Sequence, residues 1–265
     1  MHDTLSSLIE RALNGNKRPL EFYLRDQSRL PGPRANLELA NDVSHLLAAF
    51  VHRYTESVHS LLHYFASGQS VAGNTPAEFV LFCGIVSFGA CAVEQPGWHE
   101  ETLQLLDHYA NSPSWRIREA VATAYQRMLN NGSQISSTLT HLKELAAHGN
   151  FLQQRAAIAA IAEPALLNHP DIIAASLLLQ RIVLERFHQV PALERRNEHF
   201  RALRRALGYT LSVVTAAAPE EGFALMYESA SWGDSDVIWI LRENLKKKRL
   251  AKFTDHTIRL ASLLP

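Results

Sequence analysis

The stretch Trp115-Arg-Ile-Arg-Glu-Ala-Val-Ala-Thr-Ala-Tyr125 decides the fold of this chain. It holds an arginine (Arg118), a small residue two places on (Ala120) and an aliphatic residue three places on (Val121). The same triplet returns as Arg155/Ala157/Ile158, Arg204/Ala206/Leu207 and Arg242/Asn244/Leu245, with steps of 37, 49 and 38 residues between the arginines. Self-similarity at this period marks a helical solenoid, in which each repeat buries its apolar face only against its neighbours. The small residue admits close approach of the next helix and the aliphatic residue points into the shared core. The arginine stem can lie along the stack with its head at the next turn or in a groove.

Working outward, the composition agrees. Hydrophobic residues make up 47% and charged residues 20% of 265 positions, which excludes a disordered chain. Gly and Pro are few, at 12 and 11, and Ala and Leu predominate, which favours helix. The patterning predicts helices over 3–14, 18–27, 34–53, 55–66, 76–93, 97–110, 113–130, 136–148, 150–166, 170–188, 192–216, 218–231, 234–248 and 251–263. Pro19, Pro76, Pro113 and Pro219 suit first-turn positions, where the missing N–H costs nothing. Asp234 and Ser235 can cap the helix that carries Trp239. Gly15, Gly68, Gly73, Gly132 and Gly149 mark breaks. From residue 97 onward the helices pair by short turns, with the arginine triplet on the second helix of each pair. The 49-residue step implies longer helices around 170–188 and 192–216.

Trp115–Tyr125 and Phe151-Leu-Gln-Gln-Arg-Ala-Ala-Ile-Ala-Ala-Ile161 resemble the second helix of a HEAT repeat. The resemblance covers residues 97–250 and extends weakly into 1–96. It implies an all-α fold, a HEAT-like α-α superhelix of about six helix pairs whose second helices line a concave face. The expected organisation is one α-solenoid domain over 1–265, with divergent repeats in 1–96, clearer ones in 97–250 and a capping helix in 251–265.

No apolar run is read as reaching a membrane span, and the N-terminus lacks a basic segment followed by an apolar core, so a membrane partner and a secretory signal are not expected. Cys83 and Cys91 are eight apart in one helical stretch, about 12 Å at ~1.5 Å per residue, too far for a disulfide. They read as buried thiols of a cytoplasmic protein. Residues 1–111 carry 7 Lys/Arg against 12 Asp/Glu, and residues 112–265 carry 19 against 14. The basic second half is where a binding surface is expected.

Its candidate residues are Arg116, Arg118, Arg155, Arg201, Arg204, Arg205, Trp239, Arg242 and Lys246. Together they could form a stripe suited to an acidic protein segment or to nucleic acid. The alternative is salt bridging between repeats with Glu119, Glu194, Glu198 and Glu243. Trp232 and Asp236, four residues apart before the run Lys246–Arg249, are faintly similar to the HEAT-like alkylpurine DNA glycosylases. That similarity implies an Asp236 carboxylate stabilising a sugar cation, with Trp232 against the sugar or base. Read from the residues alone, Asp234 and Asp236 start a helix and the basic run suits its C-terminal dipole.

Leu30-Pro-Gly-Pro-Arg34 reads as a stiff interhelical corner, the alternative being a loop that presents Arg29 and Arg34 to an anionic partner. His45, His52, His59 and His63 fall in one sector of helix, with Glu56 nearby. This reads as a solvated boundary row, and neither a metal nor a cofactor is expected. No phosphate-binding glycine loop, nucleophile elbow, zinc-ligand cysteine set or catalytic triad is found. The reading is a non-enzymatic scaffold for a protein or peptide, with a nucleic-acid-binding relative of the glycosylases as the alternative.

Overall fold

The computed structural model describes residues 2–67, 71–130 and 132–265. Among these it is all-helical, with fourteen α-helices and no strand. Each helix lies where the apolar periodicity places one. The predicted break at Gly68 lies outside the described residues. By contacts the chain divides into two compact units, Met1–Thr138 and Leu139–Pro265. The division therefore falls well after residue 96, where the repeats become clearer.

In the first unit, α1 (His2–Leu13), α2 (Arg18–Asp26), α3 (Leu37–Phe50) and α4 (Thr55–Ala66) precede α5 (Pro76–Glu94), with α6 (His99–Ala110) and α7 (Trp115–Asn130) after it. Helix α5 is the centre. It packs against α2, α3, α4, α6 and α7, and every residue from Glu78 to Ala92 is buried. Contrary to the sequence reading, α5 is long and apolar enough to cross a membrane by length and composition alone. Its burial on all sides explains that composition, since a helix hydrophobic all round is a core helix as readily as a spanning one. Cys83 and Cys91 are both free and buried on it, and burial pushes the Cys91 thiol up to about 12.

Several starts follow from the side chains foreseen and several from others. Pro19, Pro76 and Pro219 sit in first turns, and Asp234 accepts from the backbone N–H groups of Asp236 and Val237. Pro113, by contrast, lies before α7, and its carbonyl accepts from Arg118 Nη1 at 3.0 Å. Helix α3 begins at Leu37 and not at residue 34, because the Asn36 side chain caps it by accepting from Leu39 N–H. It also ends at Phe50, so His52 lies in a turn, outside any helix.

The Leu30–Pro33 corner, with a cis Leu30–Pro31 bond, is tied down through both backbone polar groups of Gly32. Gly32 N–H donates to Asn74 Oδ1 at 3.0 Å, Arg116 Nη2 donates to the Gly32 carbonyl, and Arg116 Nη1 stands 3.6 Å from the buried Glu78 carboxylate. Glu78 in turn accepts from Asn74 N–H at 2.7 Å and from the Ser114 hydroxyl. Arg29 pairs with Glu38 at 3.0 Å, and Arg34 is exposed.

In the second unit, α9 (Phe151–Ile161), α10 (Pro170–His188), α11 (Glu198–Ala217), α12 (Pro219–Ala230), α13 (Ser235–Leu245) and α14 (Thr254–Leu263) follow α8 (Ile135–His148), which carries the chain across the division. Helix α11 packs against α9 and α13, while α12 packs against α10 and α14, so alternate helices stack. Helices α10 and α11, at 19 and 20 residues, are longer than α9, at 11. They account for part of the 49-residue step. The connector with its tight helical turn at Glu194–Arg196 supplies the rest.

The pattern alanines are at packing contacts. Ala120 and Ala157 are 0% exposed and Ala206 is 2%, each beside a fully buried aliphatic partner, Val121, Ile158 or Leu207. Ala157→Leu is expected to overpack the second unit and cost about 1–3 kcal/mol. The measurement is the thermal unfolding midpoint, and an unchanged midpoint would show room at this position.

Candidate binding face

The sequence-nominated residues occupy different settings in the two units. In the first, Arg116 is buried and engaged at the proline corner, with its guanidinium 4.7 Å from the Trp115 ring centroid. Arg118 turns back on the chain before its own helix, donating to the carbonyls of Ser112 at 2.6 Å and Pro113. Next to Arg116 is a cleft of about 330 Å³ lined by Arg34, Leu37, Phe82, Trp115 and Glu119.

In the second unit, Arg155 is only 7% exposed, whereas Arg242, its counterpart in the triplet register, stands in solvent. A shared repeat position therefore does not give a shared environment. The remaining six residues, Arg201, Arg204, Arg205, Trp239, Arg242 and Lys246, belong to α11 or to α13 and its C-cap.

These two helices pack together, and their seam is built from Arg204 and Gly208 on one side and Asp236, Trp239 and Glu243 on the other. A Cβ at Gly208 would stand 3.2 Å from the Trp239 ring, so the glycine lets the indole lie against α11. The Arg204 guanidinium sits 4.1 Å from the Trp239 ring centroid and its Nε 3.0 Å from Asp236 Oδ1. Stacking on the indole holds the guanidinium flat without consuming its charge. Arg205 and Arg242 are each one residue from a seam position, exposed, and without an ion pair among the described residues. Arg201 reaches Glu198 at 3.8 Å and Lys246 reaches Glu243 at 2.5 Å, both at the surface. Such exposed pairs contribute little and exchange readily for a partner's carboxylates.

At the N-terminal end of α13, Arg195 acts as a clamp. Its Nη1 lies 2.7 Å from Asp234 Oδ2 and 3.2 Å from Asp236 Oδ2, its Nε donates to the Val190 carbonyl at 2.8 Å, and its Nη2 donates to that of His188 at 2.7 Å. His188 stands 3.2 Å from Asp234 and stacks on Trp232 with centroids 5.0 Å apart. Burial would push the Asp234 carboxyl up. Arg195, His188 and the capping N–H groups overcome this and hold it below the usual carboxylate range. Asp236 is thus flanked by two guanidiniums, and Trp232 is occupied by His188. Arg195 lies outside the nine residues nominated from the sequence. Its aspartate partners are about forty residues away, and no local pattern joins them.

The histidine row splits up. His45 lies on α3, and His52, in its turn, faces Glu94 at 3.5 Å. His59 and His63 on α4 meet Glu101 from α6, and not the nearby Glu56, at 2.8 and 2.7 Å. No family model matches this chain, and no curated protein is significantly similar to it.

Proposed function

We propose that this protein is a non-enzymatic HEAT-like binding module, its helix pairs wound into an α-α superhelix, whose basic α11/α13 face takes an acidic segment of a protein or peptide. The stacking of alternate helices within the second unit supports the superhelix. The binding reading rests on one observation: Arg205 and Arg242 stand uncompensated on either side of a seam already carrying an arginine-stacked tryptophan. Residues 139–265 hold 16 Lys/Arg against 13 Asp/Glu, a net +3 that favours an acidic partner. The carboxylates that could do chemistry beside it, Asp234 and Asp236, are neutralised by Arg195 and Arg204. A carboxylate used against developing positive charge needs to face the reacting group and not a guanidinium. Two buried free thiols suit a cytoplasmic protein.

The test is fluorescence anisotropy with a labelled Asp/Glu-rich peptide containing one aromatic residue, against wild type and the triple variant Arg205→Glu, Arg242→Glu, Lys246→Glu. All three positions are exposed, so folding should be little affected. Binding that weakens with salt and falls by about tenfold or more in the triple variant is expected. A steeply salt-dependent mobility shift of duplex DNA or RNA, with no peptide binding, would replace this reading with the nucleic-acid one. Release of a methylated purine from alkylated duplex, lost in Asp236→Asn, would replace it with the glycosylase one.

A further inference from the structure

We propose that His59, His63 and Glu101 form a binding site for one borderline first-row divalent cation, Zn²⁺ foremost, that joins α4 to α6. The site is separate from the α11/α13 face and does not depend on the function argued for it. His59 and His63 are one helical turn apart on α4, so their rings leave the same face. Both present Nε2 to the same carboxylate, His59 to Glu101 Oε2 at 2.8 Å and His63 to Oε1 at 2.7 Å. The two Nε2 atoms are 3.3 Å apart. All three donor atoms lie within 4.8 Å of one another.

That nitrogen separation is the one a tetrahedral ion needs. With Zn–N bonds of about 2.0–2.1 Å at tetrahedral angles, two ligand nitrogens stand roughly 3.3–3.4 Å apart. The carboxylate oxygens lie closer, at hydrogen-bond distance, and would retreat by about 0.5 Å to reach the tetrahedral edge. Glu101 is at the start of α6 with its side chain 39% exposed, so a rotamer change accommodates this.

With protons alone, both Nε2 atoms can donate to the carboxylate, one to each oxygen, with the two N–H groups side by side at 3.3 Å. If one does not, a nitrogen lone pair faces a carboxylate oxygen. A cation among the three makes every contact attractive, each imidazole binding through the Nε2 lone pair with its hydrogen on Nδ1.

The rings are also held in place from behind. His59 packs on Trp98 with centroids 4.7 Å apart, and His63 meets the edge of Phe88 at 5.3 Å. Fixed imidazoles lose little freedom on metal binding. Two nitrogens and one oxygen select a borderline ion over Mg²⁺ or Ca²⁺, which require oxygen shells. Three protein ligands leave a fourth position for water or a donor from a partner. Both helices pack on α5, so the ion would staple together two elements that flank the central helix.

The experiment titrates Zn²⁺ into the full-length, tag-free protein in competition with a chromophoric chelator, with Co²⁺ absorption as a probe of tetrahedral geometry. One equivalent bound is expected, with affinity at least about tenfold weaker in His63→Ala and in Glu101→Gln, and unchanged in His45→Ala and His52→Ala. Thermal unfolding of wild type should rise with Zn²⁺, and that of His63→Ala should not. No saturable Zn²⁺ binding, binding that survives loss of either ligand, or an equal response to Mg²⁺ would overturn the site.

Discussion

Gly89→Leu is expected to destabilise the first unit by about 3 kcal/mol or more, the largest effect of any single substitution considered for this protein. A Cβ at Gly89 would stand 2.5 Å from the carbonyl oxygen of Ala124 and 2.7 Å from its Cα. These are backbone atoms of α7, so no rotamer change can yield. Helix α5 would have to move off α7, exposing apolar surface along one of the main contacts of the unit. Even Gly89→Ala should destabilise. Alanine gains about 1 kcal/mol over glycine in helix propensity, but that gain does not offset a backbone collision. Thermal unfolding reads the effect, at roughly 2–4 °C per kcal/mol for a chain of this size. Gly97→Ala is the control, since nothing lies within 4 Å of the added carbon. A Gly89→Ala protein melting at or above wild type would show that the α5–α7 contact has slack.

Asn244→Leu should cost the second unit about 2–4 kcal/mol, although leucine is the more apolar residue and the site is fully buried. The Asn244 amide donates to the carbonyls of Leu207 and Ile240, both at 2.8 Å, and its oxygen accepts from Ser212 N–H at 2.7 Å. Two of these groups belong to α11, so the side chain fastens α13 to the α11 backbone. Leucine has neither donor nor acceptor, and the groups it strands have no route to water. Each unsatisfied group costs about 1–3 kcal/mol, which exceeds what the added methyls recover. Urea midpoints should fall and amide exchange at Ser212 should quicken. Unaltered exchange there would mean that Ser212 N–H does not rely on Asn244.

Much of this was legible in the sequence because helix existence depends on local signals. Apolar spacing, Pro76 and Pro219, and the Asp234 cap all act within one turn. Two starts were misjudged where another side chain took over, Asn36 at α3 and Asn197 at α11, whose predicted start at 192 moves to Glu198. Some helix ends came early, as α3 does at Phe50 and not at 53, and α9 at Ile161 and not at 166. The fourth pattern copy has Asn244 where the others have alanine, and the reason is the amide's three partners, visible only once α11 and α13 are packed. The candidate face was partly legible in composition, since α11 carries Arg201, Arg204 and Arg205, while α13 carries only Arg242. What each arginine does was not. Arg116 is held by Gly32 and Glu78, 84 and 38 residues away, and Arg204 by Asp236 on the next helix but one. The metal triad was half visible: the pair His59/His63 shows at helical spacing, but Glu101 comes from another helix.

Helix α5 also has a history during synthesis. It emerges from the ribosome before α6 and α7, so once it is out, α2, α3 and α4 can cover part of it, but the strip containing Gly89 has no partner. That strip stays wet until α7, ending at Asn130, has also emerged. At about 5–20 residues per second the interval is on the order of seconds, long against helix formation itself. During it the nascent chain presents a nineteen-residue helix that a bilayer or a chaperone groove would accept as readily as α7. Ribosome-bound chains stalled so that α5 but not α7 has emerged should therefore recruit chaperones, and those extended until α7 has also emerged should release them.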